Sequence, residues 1–109
     1  MGTSARRKPR RLAEKLLEVR KAFGDSQNGL IRRLGLTEEL TQSDISAFER
    51  GTREPPLHVL LKYSELTRVW VNAFINDAVE LPEKLPCSNM SEGIQKIALP
   101  RQTSRLKRT

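Results

Sequence analysis

The sequence predicts an all-α protein of five short helices with basic ends. Three observations predict it: apolar residues recur at three- and four-residue spacing, glycines stand where these runs stop, and no stretch alternates apolar with polar residues as a half-buried strand does. At 109 residues with 37% hydrophobic content, the chain has material for one compact helical core. The organisation read from it is a basic flexible arm over residues 1–10, a folded domain over 11–86, and a basic, largely disordered tail over 87–109.

Leu12, Leu16, Val19 and Phe23 share one face of a first helix, which Gly24 ends. Asp25 and Ser26 offer oxygens to the free amides of a second helix, with Leu30, Ile31 and Leu34 inward and Gly35 as its left-handed stop. After the polar stretch Thr37–Leu40, Thr41 is a good N-cap for a third helix with Ile45 and Phe48 inward and Gly51 as its stop. Pro55 and Pro56 cannot continue a helix but can begin one, so a fourth is expected through Leu57, Leu60 and Leu61 toward Leu66, with a leucine-rich inner face. A fifth, carrying Trp70, Val71, Phe74, Ile75 and Ala78, is expected to reach Leu81-Pro82, and a marginal helix lies around Glu92 to Leu99.

The formal charge is +7, carried by the ends rather than the middle. Basic flanks on a neutral-to-acidic unit suit a polyanion partner, because lysine and arginine displace counterions from phosphates; unattached basic tails look the same. Chemistry at a catalytic centre finds no support. His58 is the single histidine, with no cysteine or carboxylate at ligand spacing, and Cys87 has neither a paired base nor a second cysteine, so neither an enzyme, a cofactor nor a metal site is expected. No apolar run suggests a signal or a membrane span, and a single cysteine suits a reducing, cytoplasmic setting.

Several motifs in order resemble the Cro and phage-repressor-like (XRE) helix-turn-helix family of bacterial transcription regulators. They are Leu16-Leu17-Glu18-Val19-Arg20, Ser26-Gln27, Leu34-Gly35, Ile45-Ser46-Ala47-Phe48-Glu49-Arg50-Gly51, and Arg53-Glu54-Pro55-Pro56 with Leu60-Leu61. The segment from Val69 to Pro86 looks like the tail of some members, so the resemblance spans about residues 12–86. It implies a double-stranded DNA partner at the nucleoid, a recognition helix at about 41–50, and an ion pair between Arg20 and Glu49 that holds this helix to the scaffold. It departs from the family between Gly35 and Ile45, where the turn is about four residues longer. A register starting the helix at Thr37 would aim Glu38 and Glu39 at phosphates, so Thr41 is kept as the cap.

A helix presented by its N-terminal end fits the major groove, where short polar side chains reach base edges. Gln42, Ser43, Ser46, Ala47 and Arg50 are the base-reading candidates: glutamine pairs with adenine, serine donates or accepts, and the alanine methyl meets a thymine methyl. Gln27 and Asn28 in the first turn of the second helix, Arg53 after the third, and Arg6, Arg7, Lys8, Arg10 and Arg11 of the arm are the candidate backbone contacts. The same polar residues also suit an ordinary solvent face. A rival class is a protein-interaction adaptor, or the antitoxin of a toxin–antitoxin pair, using the same fold, for which Trp70, Val71 and Phe74 supply a surface. A third is nucleic-acid binding through the arms alone; a homodimer on two half-sites stays open.

Overall fold

The computed structural model describes residues 9–95; Arg6, Arg7, Lys8 and residues 96–109 lie outside the described residues. Five helices and two short strands follow one another: α1 Leu12–Phe23, α2 Gln27–Leu34, α3 Gln42–Arg50, α4 Leu57–Thr67, α5 Val71–Ile75, β1 Val79–Glu80 and β2 Ile94–Gln95. The protein is therefore mostly helical but not all-α. β1 and β2 pair antiparallel, Val79 opposite Gln95 and Glu80 opposite Ile94. Two-residue strands are too short to leave an alternating pattern, and the pairing is held by contacts distant in sequence.

The second and third helices start, and the first three stop, on local chemistry. Ser26 caps α2 by accepting from the Gly29 amide at 2.9 Å. Thr41 and Asp44 form a reciprocal capping box on α3, each side chain accepting from the other's amide. Gly24, Gly35 and Gly51 follow α1, α2 and α3 in the left-handed conformation, which a Cβ disfavours. Leu16, Val19, Leu30, Ile45, Val59 and Phe74 meet in one core.

The fourth and fifth helices differ from expectation. The inner face of α4 is Val59, Leu60, Tyr63, Ser64 and Thr67, whereas Leu57 and Leu61 are 81% and 48% exposed. With the helix beginning at Leu57, those two leucines lie one turn apart on the side away from the core. α5 ends at Ile75 instead of running to Leu81. Two features stop it: Asn76 folds its side chain onto the Ala78 amide at 2.9 Å, and the Lys15 ammonium donates to the carbonyls of Ala73 and Asn76 at 2.8 and 2.9 Å. Lys15 is fully buried there, and that burial pulls its pKa below the usual lysine value.

Residues 87–95, read from the sequence as the start of a tail, run back along the fold. The Cys87 amide donates to Thr67, the Ser91 amide to Arg68 and the Trp70 amide to Ser91, at 2.9, 2.9 and 2.8 Å. The helix expected around Glu92–Leu99 is absent from 92–95, where β2 lies, and its remainder falls outside the described residues.

At the other end, the Asp77 carboxylate accepts from the amides of Arg10 and Arg11, both at 3.0 Å, just ahead of α1. These two amides hold the Asp77 pKa below the usual carboxylate value. The stabilisation is complete above the unfolded pKa near 3.9 and is lost as pH falls through the lower folded value. Asp77→Asn is therefore expected to flatten the acid limb of the stability curve below about pH 4. Urea melts between pH 2 and 6 check this, and parallel curves for the two proteins would count against it.

Candidate nucleic-acid interface

α3 packs on α1 and α2 through Ile45 and Phe48, which are 0% and 2% exposed, and this leaves its opposite side open. Gln42, Ser43, Ser46 and Arg50 lie on that side and, with Gln27 of α2, line one shallow depression of about 250 Å³. Gln42, Ser43 and Arg50 are exposed and Ser46 is half-buried, so amide, hydroxyl and guanidinium groups face solvent beside a capped helix end. The structure thus brings together four of the five expected base readers and one expected phosphate contact. Ala47 is half-buried and does not line the depression, and Asn28, though exposed, stands outside it.

Beneath this surface lies a hydrogen-bonded chain. Arg20 of α1 donates from Nε and Nη2 to the two Glu49 oxygens at 2.8 and 3.0 Å, and from Nη1 to the Asp25 carbonyl at 3.1 Å. The Glu49 side chain is only 5% exposed and that of Arg20 22%. Gln27 Nε2 donates to Glu49 Oε1 at 3.2 Å, which fixes which end of its amide faces inward. The Tyr63 hydroxyl is buried with no hydrogen-bond partner among the described residues; burial first, and the Glu49 charge second, push its pKa up.

Two expected phosphate contacts are already engaged within the fold. Arg11 donates to Glu80 at 2.8 Å, to Glu14 at 3.0 Å and to the Asp77 carbonyl at 3.1 Å, so it serves as a clasp between α1 and β1. Its cationic head has found acidic partners that local spacing alone does not reveal. Arg53 pairs with Asp44 and lies over the Phe48 ring at 5.3 Å. The Thr41 amide, followed by Arg53, lowers the Asp44 pKa. Arg10 is exposed, with its backbone tied to Asp77.

Two features escaped the sequence reading. Arg32 is exposed one turn beyond Asn28, its Nη2 3.7 Å from where a Cβ on Gly29 would stand, so its head lies back over the start of α2. The signal was its four-residue spacing from Asn28. The stretch between α2 and α3 is tied to α4 by Glu39, which meets His58 Nε2 at 2.7 Å. Among the described residues no three His, Cys, Asp or Glu side chains gather as a metal-ligand set, and no helix is long and apolar enough to cross a membrane.

No family model matches the chain, and no curated protein or solved structure matches it.

Proposed function

We propose that this chain binds double-stranded DNA in a sequence-specific manner, as a helix-turn-helix transcription regulator of Cro/repressor-like type acting in the bacterial cytoplasm. The observation that carries the reading is the shared outward surface of Gln27, Gln42, Ser43, Ser46 and Arg50 around the open side of α3. A helix is about 10–12 Å across and the major groove about 12 Å wide, so α3 enters with its first residues at base edges. Gln42 pairs with an adenine, Ser43 and Ser46 donate or accept, and Arg50 reaches a guanine or a phosphate. Gln27, held by Glu49, still has one amide hydrogen and its carbonyl oxygen to offer the backbone. Asn28 and Arg32 support it from α2.

Selection from a random duplex library tests the reading, and one enriched motif is the expected result. Gln42→Ala is then expected to weaken binding to that motif by about 5- to 150-fold and to relax preference at one position, with the helical circular dichroism unchanged because the residue is exposed. Enrichment of no sequence overturns the proposal. A second reading, a protein adaptor or an antitoxin, draws on Trp70 and Ile75, which are 50% and 46% exposed at α5; Phe74, expected in that surface, is instead fully buried in the core. A protein of that kind, without DNA binding, shifts no duplex at low salt, whereas a DNA reader binds and weakens steeply as salt rises.

A further inference from the structure

The geometry points to Glu49 as a positioning residue for DNA reading: beyond its pair with Arg20, its carboxylate sets the polarity of the Gln27 amide, and through it the hydrogen-bonding pattern that the α3 surface shows to a duplex. This rests on the reading above and adds to it the group that orients one of the readers.

Chemistry carries the first step. A carboxylate has no hydrogen to give, so every partner of Glu49 must donate to it. Its Oε2 accepts from Arg20 Nε, and its Oε1 accepts from both Arg20 Nη2 and Gln27 Nε2. A side-chain amide in water can turn over and present either end. Beside Glu49 only one orientation makes a bond, because the reverse sets a carbonyl oxygen against a carboxylate oxygen. That bond is charge-assisted, and with the Glu49 side chain 5% exposed, water competes little for it.

Placement carries the second. Gln27 is half-buried at the start of α2 and shares one depression with Gln42, Ser43 and Ser46 of α3. With its nitrogen turned inward, it shows that surface a carbonyl oxygen and one remaining N–H. The N–H suits a phosphate oxygen. The carbonyl oxygen accepts only, from a base amino group or from an amide or hydroxyl of α3. Gln42, Ser43 and Ser46 can each donate or accept, so a fixed acceptor beside them biases which way they turn toward a duplex. Glu49 therefore has two separable roles. Its pair with Arg20 holds α3 to α1, and its bond to Gln27 orients a reader on α2.

A double-mutant cycle tests this, read as affinity of the full chain for its selected duplex at a temperature where circular dichroism shows every variant folded. Glu49→Gln keeps the shape, but an amide at that position donates or accepts, so Gln27 finds a bond in either orientation. The change is expected to weaken binding about 5-fold when Gln27 is present, and less than about 2-fold in the Gln27→Ala background. Arg20→Lys loosens the tie to α1 while Glu49 still faces Gln27, so its cost is expected to be equal in both backgrounds. In the DNA-free protein, the hydrogen that Gln27 gives to Glu49 is expected to resonate downfield of its twin, and to move toward it in Glu49→Gln. Equal costs of Glu49→Gln in the two backgrounds, or a Gln27 amide signal unmoved by that substitution, overturns the inference and leaves the DNA-reading proposal standing. A protein that selects no duplex sequence defeats both.

Discussion

Glu49→Ala is expected to lower the unfolding free energy by about 3 kcal/mol, the lower end of the cost of breaking a buried ion pair. The Glu49 carboxylate accepts two hydrogen bonds from Arg20 and one from Gln27, and its side chain is 5% exposed. Removal leaves the Arg20 guanidinium in a site that was shaped around an anion, with only the Asp25 carbonyl still bonded to it. Arg20 is 22% exposed, so water relieves part of the penalty, which is why the upper end of the range is not expected. For a domain of this size the change corresponds to a fall in Tm of roughly 12–20 °C. Glu38→Ala is the control. Glu38 is exposed and has no hydrogen bond or ion pair among the described residues, so its removal belongs to surface changes of about 0.5 kcal/mol or less. Thermal melts of the two variants decide the matter, and equal midpoints would show that the pair does not hold α3 to α1.

Where an element is governed by its own neighbours, it was legible in the sequence. Ser26, Thr41, Gly24, Gly35 and Gly51 act on amides and carbonyls within a turn, so α2 and α3 begin, and α1, α2 and α3 end, where those residues stand. The outward side of α3 was legible for the same reason, since Ile45 and Phe48 pointing inward leaves Gln42, Ser43 and Ser46 outside. What failed depends on contacts distant in the chain. The roles of Lys15 and Arg11 are set by carbonyls and carboxylates about sixty residues away, and a cation count cannot tell a clasp from a free charge. On α4 the leucines themselves misled: Leu57 and Leu61 form a helical pair as regular as the true inner face of Val59, Leu60 and Tyr63. The Arg20–Glu49 pair lies between these cases. Its 29-residue separation is invisible to periodicity, and only the resemblance implied it.

The same distinction makes Gly93 the position from which most is expected. In the sequence it is one glycine in a polar segment, but its φ is +85° and a Cβ there would stand 2.4 Å from Val79 Cγ1, 2.9 Å from Ala73 Cβ and 2.9 Å from the Glu80 carbonyl oxygen. None of these neighbours is the loose end of a long side chain: Val79 and Ala73 are buried and the third is backbone. Gly93→Ala therefore combines a left-handed penalty of about 1–2 kcal/mol with overpacking of about 1–3 kcal/mol, so a loss of about 3 kcal/mol is expected. Residues 91–95 have an escape, which is to peel away. That route uncovers Val79, worth about 1.5–3 kcal/mol when fully exposed, and breaks the bond between the Trp70 amide and Ser91, so it lowers the cost little. The two routes differ in what they leave folded. Steric strain shared through the core lowers the global midpoint, whereas peeling speeds exchange of the Trp70 and Ser91 amides while the amides of α1 and α3 keep their protection. Either outcome establishes that residues 91–95 pack on α5 and β1; melting and exchange both unchanged would show that they do not.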